Sequence, residues 1–391
     1  MSSVGVAQVY VAKAVRVFYS GLLSILVPQY VLALGYSEVY LGVVLVAILG
    51  GNVASNLLLT YLESRASKRR FLQAFSLLLV LAGLGLAFSS SLAAIVICCF
   101  IGNISTTGTE AGPFQSIEAG VLPELAGGRV AEAYGRYNMI GYGASAFGAL
   151  AAGSPGFFQG GMAVFQLLFL GFAICGGVLF ATYSTLRSPH FSQPAHRPGL
   201  DVLSPTARKD LKALSALFSV DAFGGSFVSQ YVLSSYFLIA YGVTSAALGG
   251  IFFVTSVIVA FSVYAAARIA QRLGNLRTMV YTHLFSNALL IGIPLAGSLV
   301  GSLAFLFARQ SLSQMDVPTR QALMTEMFSS EERVAAFAVS NTARSVSTFA
   351  GGPVGTALLA EGLVSGLLLL GGFSKVFYDL AIFLAYRKRF R

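Results

Sequence analysis

The sequence predicts an all-α, polytopic membrane protein of twelve transmembrane helices in two six-helix bundles, and three observations predict it. First, apolar residues make up 56% of the 391-residue chain and charged residues only 10%, with a mean hydropathy of +0.78. A soluble domain of that composition lacks the charge to cover its surface. Second, the apolar residues fall in runs of about twenty or more, the length a helix needs to cross a bilayer. An outer-membrane barrel would alternate apolar and polar residues over about ten positions instead. Third, the basic residues alternate from loop to loop.

Arg65, Lys68, Arg69 and Arg70 follow span 2, Arg129 follows span 4, and Arg187, Arg197, Arg208, Lys209 and Lys212 follow span 6. Arg268, Arg272 and Arg277 surround the loop after span 8, Arg333 follows span 10, and Arg387, Lys388, Arg389 and Arg391 end the chain. The loops between these carry no Lys or Arg; Glu38 and Glu361 are their only charges. The positive-inside rule then places both termini in the cytoplasm, and a multi-pass protein of the plasma membrane is expected. The net charge of +10 reflects this topology, so the partner it implies is the lipid bilayer and not nucleic acid. The 42 glycines suit closely packed membrane helices. The first apolar run is long and carries Lys13 and Arg16, unlike a cleaved signal.

Cys98, Cys99 and Cys175 lie inside apolar runs and give neither a disulfide framework nor metal spacing. There is no H-E-x-x-H helix, no close His/Asp cluster in the sequence and no G-x-x-x-x-G-K-[ST] loop. No enzyme activity, metal or cofactor is expected, and no ATP hydrolysis by this chain.

The chain repeats itself. Residues 188–213, rich in Pro and Ser, read as a cytoplasmic linker between an amino-terminal bundle, 1–187, and a carboxyl-terminal bundle, 214–391. At an offset of 205, Val15 and Phe18 meet Val220 and Phe223. At 207, Gly35 meets Gly242, Leu41-Gly42 meets Leu248-Gly249, Arg65 meets Arg272, and Arg70 meets Arg277. At 204, Arg129-Val130-Ala131 meets Arg333-Val334-Ala335, and Gly148 meets Gly352. Six helices per copy is an even number, so both copies share one orientation, and substrate sites in such folds lie near the midplane between the copies.

The loop after span 2 reads Ser64-Arg65-Ala66-Ser67-Lys68-Arg69-Arg70, and the loop after span 8 reads Gln271-Arg272-Leu273-Gly274-Asn275-Leu276-Arg277. With twelve spans in two halves, these loops resemble the G-x-x-x-D-R-x-G-R-[RK] marker of the major facilitator superfamily (MFS). The arginines match and Gly274 is kept. The marker's acid is replaced by Ser64 and Gln271, which removes the basis for its usual carboxylate latch. The stretches Gly112-Pro113-Phe114, Asp316-Val317-Pro318-Thr319-Arg320-Gln321 and Lys375-Val376-Phe377-Tyr378-Asp379 resemble those of prokaryotic members. The resemblance implies the MFS fold and a transporter of a small-molecule substrate that rocks its two halves, acting as a monomer.

Ionisable groups at membrane depth are costly, so each requires a reason. Arg16 in span 1 and Asp221 in span 7 align at the 205 offset and are expected to couple across the cavity or to bind substrate. Span 4, over 92–122, carries Glu110 and Glu118 in a stretch interrupted by Gly108, Gly112 and Pro113, since Gly and Pro break regular helix. Glu110, the deeper acid, is the expected proton carrier. Arg309 and Arg344 join Arg16, Asp221 and Glu110 as cavity candidates. Arg65, Arg70, Glu118, Arg272, Asp316 and Arg320 are assigned to a cytoplasmic gate, with Asp316 and Arg320 pairing four residues apart. Lys375 and Asp379, also four apart, are expected to form a local buried ion pair, and Lys13 to sit at the interface. His283, Asn287, Asn52 and Asn56 are expected to hydrogen-bond between helices.

The function expected from these features is secondary active transport of a small organic solute, with the proton as coupling ion. A passive facilitator of the same fold, or a sensor without flux, is the competing reading.

Overall fold

A computed structural model of the chain describes residues 3–62, 67–109, 112–115, 117–118, 122, 130–158, 161–186, 203–329 and 332–389. It is helical throughout, with no strand among the described residues. The helices of ten or more residues are α1 (Ser3–Ala33), α2 (Glu38–Leu62), α3 (Lys68–Phe88), α4 (Leu92–Ile101), α5 (Val130–Ala151), α6 (Met162–Thr185) and α7 (Pro205–Ser226), then α8 (Gln230–Tyr241), α9 (Ser245–Leu273), α10 (Asn275–Leu295), α11 (Leu299–Gln310), α12 (Asp316–Met327), α13 (Arg333–Ala360) and α14 (Val364–Tyr386). Among the described residues, eight stretches are long and apolar enough to cross a membrane, one of them α7 and α8 taken together as Pro205–Tyr241. α4 and α11 are shorter apolar helices.

Three of the expected spans are interrupted. Span 4 leaves the helix after Ile101, and residues 102–109 are non-helical. Asn103 turns there with φ 46°, which an Asn tolerates better than most residues. Span 10 breaks between α11 and α12, and span 7 breaks between α7 and α8. The linker reading also shifts: α7 begins at Pro205, inside 188–213, because Ser204 caps it by accepting from the Ala207 N–H and proline suits the first helical position. Most of that linker lies outside the described residues.

The chain divides into two compact units, 1–196 with 229–256, and 197–228 with 257–391. Within the first unit, α1 packs on α5 and α8, α3 on α6, and α2 on α4. Small residues permit this. A Cβ at Gly148 would stand 1.9 Å from the Phe18 carbonyl oxygen, so α1 and α5 meet backbone to backbone. Lipid tails are as apolar as leucine, so close packing of this kind, not burial of oil, holds such helices together. α3 shows the consequence: Phe75, Leu79, Ala82 and Leu86 are buried, while Leu77, Leu81, Leu84 and Phe88 face outward. The matching glycines of the repeat, Gly35 and Gly242, both take positive φ, 81° and 60°, and end α1 and α8.

In the second unit, α13 packs on α7, α10 on α14 and α11, and α14 on α7. Leu214, Phe218, Met279, Leu323, Tyr378 and Ile382 belong to one apolar cluster there. Directly beside it the same helices carry their charges.

Candidate functional site

Each unit buries one charged cluster. In the first, Arg16 of α1 is 4% exposed and Glu118 is fully buried. The guanidinium makes two bonds to the carboxylate, Nη2 to Oε2 at 2.7 Å and Nη1 to Oε1 at 3.0 Å. Tyr183 of α6 donates to Oε1 at 2.6 Å, and Tyr137 of α5 donates to Oε2 at 2.9 Å. Arg16 also donates to the Tyr183 hydroxyl oxygen at 2.7 Å and lies 5.0 Å from the Phe114 ring centre. Four donor contacts saturate the carboxylate, the condition under which a buried ion pair is tolerated. Glu118, expected at a cytoplasmic gate, is thus a buried partner of the Arg16 fork. Lys13, expected at the interface, is packed in the protein. It is 4% exposed, with Nζ 4.2 Å from the centre of the Tyr137 ring. Beside Arg16, a gap of ≈ 10 Å³ is lined by Tyr19, Ser20, Asn103 and Ser105 among others. It has room for about one water.

The second cluster is built on α7, α10, α12, α13 and α14. Asp221, 2% exposed, accepts from Lys375 Nζ at 2.6 Å and from Arg344 Nη1 at 2.9 Å. Arg320 stands 3.7 Å from the same carboxylate and donates to Asp316 at 2.9 Å. His283 bridges two acids: Nδ1 is 2.7 Å from Asp379 Oδ1, and Nε2 is 3.7 Å from Asp221 Oδ1. Asn287 donates to the other Asp379 oxygen at 2.9 Å. An ionised Asp379 calls for a proton on Nδ1, which leaves Nε2 turned toward Asp221. Tyr378 and Phe218 wall the cluster, with His283 edge-on to Tyr378 at 5.9 Å and Arg320 5.7 Å from the Phe218 ring centre.

Several expectations are corrected here. Arg16 and Asp221 each have counter-charges within their own unit, Glu118 for Arg16 and Lys375 and Arg344 for Asp221. Lys375 and Asp379 are one helical turn apart but do not pair. Lys375 turns to Asp221, and Asp379 turns to His283 and Asn287, because these contacts bring more hydrogen bonds than a pair on one helix face. Asp316 and Arg320 do pair as expected, and Arg320 also stands 3.7 Å from Asp221. Arg344 is a partner of Asp221. Arg309 is buried, 7% exposed, and its Nη1 donates to Gln310 Oε1 at 2.6 Å. Arg70 and Arg272 are exposed at the ends of α3 and α9, with no ion pair among the described residues. Arg65 and Glu110 lie outside the described residues.

Tyr183 and Tyr137 escaped the sequence reading. A buried acid with a single arginine still needs two further donors, and tyrosine is the residue an apolar helix supplies most cheaply. Asn287 hydrogen-bonds between helices as expected; Asn52 donates to the Ile104 carbonyl at 2.9 Å, in the non-helical stretch after α4, and Asn56 donates to the Asn52 carbonyl within α2.

Long apolar helices that bury charged clusters have the architecture of a polytopic membrane protein. Comparison with known proteins agrees. The sequence profile of the Major Facilitator Superfamily matches residues 9–352, and the chain belongs to that family. It is 25% identical to an uncharacterised membrane protein of Saccharomyces cerevisiae, YJR124C, over 91% of this chain and 89% of that one. Its fold is similar to that of a variant of the nucleoside transporter NupG, TM-score 0.76 at 13% identity, covering 98% of this chain and 100% of that one. It is similar to a bacterial homologue of the iron transporter ferroportin in its inward-facing state, TM-score 0.74 at 14% identity, with 99% of each chain covered. A D-xylose–proton symporter is similar at TM-score 0.73 and 16% identity, with 97% of each covered.

Proposed function

We propose that the protein is a secondary active transporter that moves a small organic solute by alternating access and couples it to protons through the His283 cluster. The observation that supports coupling is the bridge itself. One imidazole, whose unperturbed pKa lies near neutrality, stands between two buried carboxylates held by α7 and α14. Around it the contacting charges balance: Asp221, Asp316 and Asp379 against Lys375, Arg320 and Arg344. Adding one proton at His283 leaves the cluster with a net positive charge, which a rearrangement can relieve. That is how a proton would bias the exchange between two conformations. Glu118 is engaged by four donor contacts, and Glu110, the acid expected from the sequence to carry the proton, lies outside the described residues.

The similar structures include a nucleoside transporter, a sugar symporter and a homologue of an iron transporter, so fold alone selects no solute. A six-plus-six division, with the linker ending before α7 at Pro205, is proposed on the internal repeat. A plasma-membrane location with both termini cytoplasmic is proposed on the loop charges, together with a monomeric state. The test is reconstitution in proteoliposomes with an imposed proton gradient and a panel of sugars, nucleosides and organic acids. The wild type should accumulate a member of the panel only with the gradient. His283→Asn should lose that accumulation and retain counterflow exchange. Accumulation that ignores the gradient in the wild type would leave a passive facilitator of the same fold.

A further inference from the structure

Arg309 is the buried charge of the second unit that the cluster leaves over. It sits in the last turn of α11, 7% exposed. Its side-chain partner is neutral: Nη1 donates to Gln310 Oε1, which also accepts from Ser313 Oγ at 2.9 Å. Its Nε is buried and has no hydrogen-bond acceptor. No carboxylate among the described residues lies within ion-pair distance. The acid nearest in influence, Asp316, is held by Arg320 at 2.9 Å. The remaining acids, Asp221 and Asp379, are held by Lys375, Arg344, His283 and Asn287.

Two features could excuse a buried arginine here, and both fall short. The carbonyl end of α11 carries about half a negative charge, but it is already engaged: the Arg309 carbonyl accepts from Ser286 Oγ and from the backbone of Leu312 and Ser313. Snorkelling to an interface would leave the head group in water, whereas Nε is sealed. An uncompensated buried guanidinium is retained at a cost, and it presents a planar fork that matches a carboxylate or phosphate.

We propose that Arg309 is the recognition site for a single negative charge on the transported solute, a carboxylate or monoanionic phosphoester. The inference rests on the transporter reading above and adds the charge of the cargo. Three acids against four permanent cations leave one positive charge; one anionic group restores balance with His283 neutral. Residues 311–315, where the chain leaves the helix between α11 and α12, lie immediately next to it. A ligand bound at Arg309 therefore presses on a break in the span, a place able to move.

Two measurements on the full chain in lipid nanodiscs test this, and neither needs a proton gradient. In ligand-free protein, Arg309→Gln should leave the thermal unfolding midpoint unchanged or raise it, whereas Arg320→Gln and Arg344→Gln should lower it. A fall with Arg309→Gln equal to theirs would mean an internal partner and would overturn the proposal. The second measurement titrates acetate, benzoate and methyl phosphate at constant ionic strength against the neutral acetamide and benzamide. At least one organic anion should raise the wild-type midpoint saturably. The neutral isosteres should do nothing, and Arg309→Gln should weaken half-saturation by about tenfold or more, with Arg309→Lys in between. No response to any anion, an equal response in Arg309→Gln, or full saturation by chloride alone would each overturn it. If gradient-driven uptake succeeds while these responses fail, the transporter stands and its solute is not an anion. If the responses succeed without gradient-driven uptake, the anion site stands and coupling falls.

Discussion

The two units place an ionisable residue at matching positions of their repeats, Arg16 and Asp221, and bury both, but with opposite signs and different solutions. Arg16 meets one acid in a two-bond fork, and two tyrosines complete it. The partners are permanent and every acceptor is used. Asp221 meets Lys375 and Arg344, with Arg320 and His283 within 3.7 Å. That site gathers three cations and a histidine around one carboxylate, more positive charge than Asp221 alone can neutralise. A saturated pair resists rearrangement, and an over-subscribed one can trade partners. The difference separates a unit braced by its charges from a unit able to switch with them.

The largest effect expected from this contrast is at Asp221. Asp221→Asn leaves Lys375 and Arg344 in contact with a neutral amide. Removing one member of a buried pair typically costs about 3–5 kcal/mol, and here two cations lose their counter-charge together. Folded yield and unfolding midpoint should fall further than for any single change in the first cluster. Adding Lys375→Met should restore part of the loss. A midpoint for Asp221→Asn within error of the wild type would mean the cations already reach water, and the contrast between the units would collapse.

Next in size is the Arg16–Glu118 fork. Arg16→Gln and Glu118→Gln should each destabilise by about 3–5 kcal/mol, and the double change by much less than the sum. Tyr183→Phe, which removes one donor to a charged acceptor, should cost about 1.5–3 kcal/mol. By contrast, Arg16→Gln combined with Asp221→Asn should be additive to within about 0.5 kcal/mol, as expected of sites without shared partners. A strong coupling in that last cycle, read by unfolding midpoints, would restore the pairing that the repeat alignment suggests and the contacts do not.

These outcomes bear on what the sequence could reveal. That Arg16 and Asp221 are expensive, matched and central was legible from hydropathy and the repeat. Their partners were not, because periodicity loses its meaning in a membrane helix. On α3 both the packed and the outward residues are leucines and phenylalanines, so no pattern tells which face of a span a charge will find. The interruption of span 4 was signalled by Gly108, Gly112 and Pro113. The interruption after Arg309 falls in Ser311-Leu312-Ser313-Gln314-Met315, which holds neither glycine nor proline, and was read as continuous helix. The local pair Lys375–Asp379 failed for a related reason: spacing along one helix says who is near, and tertiary packing decides who is bonded. The family was legible because its loop arginines and its repeat survive without the marker acid.

The smallest effect calibrates the others, because it comes from an acid outside the buried clusters. Glu332 precedes α13 at the end of the second unit and is accessible to water. Its Oε1 accepts from the Ser204 N–H at 2.9 Å and its Oε2 from the Ser329 N–H at 3.1 Å. It thus ties the start of α7 to the chain just before α13. The bonds from the Ser204 backbone, foremost, and from Ser329 lower its pKa from 4.5 to about 2. The sign follows from linkage. A carboxyl whose folded pKa is depressed contributes stability that is complete above its unfolded pKa and vanishes as pH falls through the folded one. The contribution should therefore be constant at neutral pH and be lost between about pH 4.5 and pH 2. Glu332→Gln should lower the unfolding midpoint slightly at pH 7, and the gap from wild type should close on acidification across that window. His283→Asn should instead alter the pH profile nearer neutrality, where imidazole titrates. If Glu332→Gln shifts the profile near neutrality as well, the pH response of the second unit belongs to its surface bonds, and the buried bridge loses its claim to be the proton's station.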